Sequence, residues 1–133
     1  MNDTFGIQDL ALKAPSLYLP IEHLANARDI EPAKLIHGLG LRNMSVCDVD
    51  EDVVTLAAGS VIQLLEQNPD VKPQDIGRIY VGTESSIDGS KPIGTYVHHI
   101  VHRYFENKGI DTTGINHIDV IDMTFACIGA VDA

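Results

Sequence analysis

Basic residues are scarce in this chain. Nine Lys and Arg stand against 19 Asp and Glu, for a formal charge of −10. Binding to nucleic acid, and adhesion to an anionic membrane surface, both rest on cations facing phosphates, so neither partner is expected. Long apolar runs are missing too, and no segment approaches the length of a membrane span. The opening Met1-Asn-Asp-Thr-Phe-Gly has neither a basic nor an apolar leader region, so no secretory signal is expected. Cysteine is limited to Cys47 and Cys127 with no pairing framework, which fits a reducing cytosol. No Gly-rich phosphate loop of the dinucleotide or Walker type occurs, and no cofactor is expected. What remains is 133 residues, 44% hydrophobic, with 11 Gly and 6 Pro: a composition for at most one globular domain with a modest core.

The pattern of apolar residues predicts alternating elements. Phe5 to Leu12 reads as a first strand, followed by a loop bounded by Pro15 and Pro20. Ile21 to Arg28 reads as a short helix, and a second short helix follows Pro32 and ends at Gly38-Leu-Gly40. Arg42 to Val46 reads as extended. Val54, Ala57, Ala58, Val61, Leu64 and Leu65 recur at helical spacing and predict a long helix over 53–67, stopped by Asn68-Pro69. Lys72 to Asp75 is a turn and Arg78 to Gly82 a short buried strand. A polar loop from Thr83 to Ser90 precedes a helix with Ile93, Val97, Ile100, Val101 and Tyr104 on its apolar face. Ser90 is its predicted cap. A loop over 107–116 leads to a last strand ending near Asp122, and then to Cys127. Strands alternating with amphipathic helices imply parallel crossovers in an α/β layer fold.

Two residues stand just beyond predicted strands, where sites in such folds lie. Cys127, at a strand-to-helix junction, reads as a nucleophile whose thiolate a helix N-terminus would favour, or as a buried structural cysteine. Glu84 reads as a general acid/base, or as a loop carboxylate capping a backbone amide. If their strands are neighbours, carboxyl and thiol project at one sheet edge. His98 and His102 share a helix face but lack a third metal ligand, so solvated histidines are the better reading and no metal is expected. Cys47 reads as structural. Asp48, Asp50, Glu51 and Asp52 read as a solvated helix start rather than a calcium loop.

Taken together and in order, these runs resemble the hydroxymethylglutaryl-CoA synthase family, acyl-condensing enzymes of the thiolase-like superfamily. The runs are Gly6-Ile-Gln-Asp-Leu-Ala with Leu17-Tyr-Leu-Pro20, Leu24-Ala-Asn-Ala-Arg28, Glu31-Pro-Ala-Lys34, Gly38-Leu-Gly40, Asp50-Glu-Asp52, Val81-Gly-Thr-Glu84-Ser85 and Ala126-Cys127-Ile-Gly-Ala130. The resemblance implies a thiolase-like α/β fold, of which residues 1–133 are an incomplete first half, a mixed sheet with flanking helices. It implies that Cys127 is acetylated by acetyl-CoA, and that Glu84 deprotonates the acetyl methyl group for attack on acetoacetyl-CoA. A position near the CoA site, usually Asp, falls at Glu31. The family's histidine lies downstream, so these 133 residues alone are expected to be inactive. The full-length enzyme is expected to be a cytoplasmic homodimer of the mevalonate route to isoprenoids. The chain departs from the family at Ile128 and Val131, which replace an aromatic residue and a threonine, at Asp132 in an expectedly buried helix, and in an enlarged 107–116 loop. Competing readings are a polyketide β-branching or ketoacyl synthase III-like enzyme, and a non-catalytic α/β interaction module.

Overall fold

A computed structural model describes residues 6–133, which divide into two compact units, residues 14–52 and residues 6–13 with 53–133.

In the smaller unit, β1 (Leu17–Pro20) pairs antiparallel with β2 (Asn43–Val46), Leu17 opposite Val46 and Pro20 opposite Asn43. The stretch between the two prolines is thus a strand and not the predicted loop. Proline is compatible with a strand end, and Pro20 occupies the last position of β1. Ile21 resumes the pairing, donating its N–H to Arg42 O at 3.0 Å. Helix α1 (Ile21–Ala27) buries Ile21 and Ala25, one turn apart on one face. It closes at Arg28, and Asp29 takes a left-handed φ of 52°, which a short polar side chain tolerates. The second predicted helix is a wide π-type turn at Lys34–Gly38. The acidic run is less solvated than expected. Both Glu51 carboxylate oxygens accept the Ser16 N–H at 3.0 Å, and Oε2 also accepts that of Asp48 at 3.0 Å, which fastens the unit's two ends. Cys47, just past β2, is exposed and not a packed structural residue.

The larger unit contains α2 (Val53–Gln67), β3 (Arg78–Gly82), α3 (Ile93–Asn107), β4 (Asp119–Met123) and the four-residue α4 (Gly129–Asp132). Strands β3 and β4 are parallel neighbours, Arg78 opposite Asp119 and Gly82 opposite Met123, with α3 in the connection. A parallel pair needs such a crossover. Arg78 Nε lies 3.4 Å from Asp119 Oδ2 at the open end of the pair. With both side chains more than half exposed, that bridge contributes about 0–1 kcal/mol and chiefly matches the register. Val54, Ala58 and Leu65 of α2 meet Ile93, Val97, Val101 and Phe105 of α3 in the core, with Ile79, Val81 and Val120 of the sheet packed against them. Ile115 and Ile118 join this core from the segment before β4. The 107–116 loop therefore ends in a buried apolar plug. No helix among the described residues is long and apolar enough to cross a membrane.

The predicted first strand does not form. Phe5 lies outside the described residues, and residues 7–12 join no ladder. Asp9 Oδ2 accepts the Asn68 side-chain N–H at 2.6 Å and Lys13 donates its N–H to Ser60 Oγ at 3.2 Å, so the segment is tied to α2. The Asn68 amide, and then the Leu10 N–H, hold the Asp9 carboxyl below its ordinary pKa. Ile7 and Leu10 are three apart, which puts them on opposite faces of any strand, and both stay exposed along with Leu12.

Candidate functional site

Because β3 and β4 end in register, the segments that follow them leave from one edge of the sheet. The pairing continues one step, with Thr83 N–H donating to Met123 O at 3.2 Å. The two candidate residues of the sequence lie just beyond that edge. Glu84 Oε1 accepts the Ala126 N–H at 3.0 Å, one residue before Cys127. Thus the Glu84 carboxyl reaches the backbone of the turn that bears Cys127, and both residues are exposed. Glu84 Oε2 has no hydrogen-bond partner among the described residues, which leaves one oxygen open to a substrate proton.

Ala126 is the strained link in this arrangement. Its φ is +48°, a left-handed conformation that costs an L-residue roughly 1–2 kcal/mol. The Glu84 bond on its N–H, and the Gly129 N–H donating to Phe125 O at 3.2 Å, hold the turn. Replacing Ala126 with Gly is expected to remove the strain. After the extra freedom glycine gives the unfolded chain, the net stabilisation is up to about 1 kcal/mol, read as a higher denaturant midpoint. A lower midpoint would contradict the assignment of strain.

Cys127 itself sits in a 3₁₀ turn, Ala126–Ile128, immediately before α4. That is the strand-to-helix junction the sequence predicts, between β4 and α4. Asp132, expected inside a buried helix, is exposed. The close approach of α4 to the sheet depends on Gly82, where an added Cβ would overlap the backbone of Gly129 and Ala130. Phe125, Ile128 and Val131 surround the thiol in sequence and remain exposed, at 72%, 48% and 77%.

The loop that bears Glu84 is ordered by its own polar side chains. Thr83 Oγ1 accepts the Ser85 N–H at 3.0 Å, and the Ser86 hydroxyl bonds Asp88 O. Asp88 Oδ1 accepts the N–H groups of Ser90 at 2.8 Å and Lys91 at 3.2 Å. Those two amides, Ser90 first, hold the Asp88 carboxyl below its ordinary pKa. Lys91 Nζ then lies 3.8 Å from the centre of the Tyr96 ring. Ser90 does not cap α3. Pro92 occupies the cap position, and the orphan N–H groups of Ile93 and Gly94 are met by Asp122, from Oδ2 at 2.5 Å and Oδ1 at 2.9 Å. Sequence reasoning missed both Asp122 and the bend at Ala126. An acidic residue near the end of a β-branched run was the available signal for the first, and a left-handed alanine leaves none.

The remaining candidates lie elsewhere. His98 Nε2 is 2.8 Å from Ile115 O and His102 Nε2 is 3.6 Å from Glu106 Oε1, so each has a separate partner. Among the described residues no group of three or more His, Cys, Asp or Glu is placed to hold a metal ion. Glu31 is exposed in the smaller unit, its carbonyl accepting the Lys34 N–H at 3.0 Å as the π turn begins.

Residues 1–133 match the family model described as hydroxymethylglutaryl-coenzyme A synthase N terminal. The hydroxymethylglutaryl-CoA synthase of Haloferax volcanii is 32% identical over 124 residues, 93% of this chain and 25% of its own. Hydroxymethylglutaryl-CoA synthase A of Dictyostelium discoideum is 32% identical over 131 residues, 98% of this chain and 25% of its own. Among solved structures, MvaS in complex with 3-hydroxy-3-methylglutaryl coenzyme A superposes with a TM-score of 0.74 at 39% identity, over 96% of this chain and 28% of that one. A 3-oxoacyl-(acyl-carrier-protein) synthase III, at 21% identity and a TM-score of 0.70, shares the fold over 95% of this chain and 34% of that one. The chain spans about a quarter of the length of these curated relatives.

Proposed function

The chain belongs to the hydroxymethylglutaryl-CoA synthase family, and from that premise we propose that it is the acyl-accepting portion of an enzyme that condenses acetyl-CoA with acetoacetyl-CoA. The observation that carries the proposal is the hydrogen bond between Glu84 and the Ala126 N–H, which sets a carboxylate one residue from a thiol. In the first step the Cys127 thiolate attacks the acetyl-CoA carbonyl, the CoA thiolate leaves and takes a proton, and an acetyl thioester stands on Cys127. Glu84 then removes a methyl proton with its open oxygen, and the resulting carbon nucleophile adds to the ketone carbon of acetoacetyl-CoA. The new alkoxide takes up the proton that Glu84 removed, the carboxyl now acting as the acid. Water hydrolyses the thioester to free Cys127 and release the product. Glu31 is assigned to the CoA side on the resemblance alone. The same reading makes the complete enzyme a cytoplasmic homodimer of the mevalonate route to isoprenoids.

CoA is preferred over a carrier protein as acetyl donor on the strength of identity. The curacin-pathway synthase solved with its acetyl donor-ACP is 21% identical to this chain, and the complex with 3-hydroxy-3-methylglutaryl coenzyme A is 39% identical. Incubation of the complete enzyme with acetyl-CoA, then tryptic digestion and mass spectrometry, tests the first step. An acetyl adduct is expected on the tryptic peptide that follows Lys108 and carries Cys127. It is expected to be absent in Cys127→Ala. A folded sample that takes no acetyl group from acetyl-CoA or from an acetyl carrier protein would instead mark a non-catalytic module.

A further inference from the structure

We propose that Asp122 is a positioning residue: it closes the base of the loop that carries Glu84 and so sets that carboxylate against the Cys127 turn. The loop, residues 83–92, is fixed at both ends by consecutive residues of β4. At its start Thr83 N–H is held by Met123 O, and at its end the N–H groups of Ile93 and Gly94 are held by the Asp122 carboxylate. Among the described residues, its hydrogen bond across to the Cys127 turn is the one from Glu84 to Ala126. Two independent observations support a built contact. Pro92, at the cap position of α3, supplies no side-chain acceptor, so a fifteen-residue helix has its first amides met by a charged group from another element. In addition, a Cβ on Gly94 would stand 3.1 Å from Asp122 Oδ1 and 2.5 Å from Val120 Cγ1, so the absence of a side chain there is what lets the strand and helix close on one another.

Geometry gives the carboxylate influence over Glu84. Asp122 stands opposite Val81 in the register, three residues before Glu84 on the facing strand, and five before Cys127 on its own. If Asp122 releases Ile93 and Gly94, the far end of the loop loses its hydrogen bonds to β4 and keeps only the packing of Ile93 in the core. Glu84 is then held only through Thr83 and its own bond to Ala126. The catalytic meaning of this rests on Glu84 being the base in the proposed reaction, but the positioning does not.

Amide–water exchange measured by NMR on the 133-residue chain separates the two. A Glu84→Ala variant gives the exchange rate of a free Ala126 amide. In Asp122→Ala the Ile93, Gly94 and Ala126 amides are all expected to exchange about tenfold faster or more, with Ala126 approaching the Glu84→Ala rate. Asp122→Asn keeps one acceptor oxygen and is expected to fall between Asp122→Ala and the parent. A purely local cap would speed Ile93 and Gly94 and leave Ala126 at its parent rate, which overturns the proposal. The Val101 and Phe105 amides report the fold, and where Asp122→Ala loses it the Asn variant decides on the same comparison. Failure of Cys127 to take an acetyl group would count against the reaction and leave this readout unaffected.

Discussion

In a Glu84→Gln variant of the complete enzyme, exchange of the methyl hydrogens of acetyl-Cys127 with solvent deuterium is expected to fall by about 10²–10⁴-fold while acetylation of Cys127 persists. The two effects separate because the carboxylate does two jobs with two oxygens. Oε1 accepts the Ala126 N–H and holds the turn, and Oε2 is open. Glutamine keeps a carbonyl oxygen for Ala126 and loses the group that can take a proton. Alanine removes both, so Glu84→Ala is expected to lose proton exchange and also to loosen the left-handed residue beside the thiol. Comparing the two variants assigns the loss to the base or to the clamp. Wash-in of deuterium at the parent rate in Glu84→Gln would remove Glu84 from the role of base. Loss of acetylation in Gln as well as Ala would mean that the charge, and not the hydrogen bond, governs the nucleophile.

The parts of this arrangement that sequence could reveal are those set by local pattern. The α2 span follows from its apolar spacing and the Asn68-Pro69 stop, and β3, α3 and β4 follow from β-branched runs alternating with an amphipathic one. Once β3 and β4 are expected as neighbours, the meeting of Glu84 with the Cys127 turn follows from their positions just past each strand. Partners distant in sequence were not legible. Ser90 has the right chemistry for a cap, yet a carboxylate 29 residues away takes the Ile93 amide, because packing brings β4 against the start of α3. The segment Phe5 to Leu12 reads as a strand from its apolar residues, but Asp9 is tied to Asn68, just past α2, and the neighbouring Lys13 to Ser60 on α2. The short strand β1 was hidden by its flanking prolines, and the resolution came from β2, more than twenty residues on. Ile115 reads as loop because Gly114 and two threonines precede it, although it is 1% exposed.

Phe105→Ala is expected to destabilise the larger unit by about 3 kcal/mol, near the low end of what deleting a buried phenyl ring costs. Phe105 is 1% exposed and belongs to the core shared by α2 and α3, with Tyr104 packed edge-on at a ring separation of 5.6 Å. Transfer of the ring to solvent is the fixed part of that cost. The cavity part is reduced, because Phe105 already borders an open cleft of about 380 Å³ with Leu65, Pro69, Val71, Tyr104 and Ile110, into which the space left by the ring would merge. Water can then enter where a sealed void would have stayed empty. Against a total stability of about 5–15 kcal/mol for an ordinary domain, 3 kcal/mol is a large share. It corresponds to a fall in melting temperature of roughly 12–24 °C for a unit of this size. Denaturant unfolding with an unchanged slope and a lowered midpoint is the expected result, and a loss under 1 kcal/mol would mean that the cleft, and not the core, is the true environment of the ring. Phe105 lies at the end of α3 opposite the one Asp122 holds, so this loss is global. Protection of the Ala126 amide should fall together with that of Val101, in contrast to the selective loss expected at Asp122.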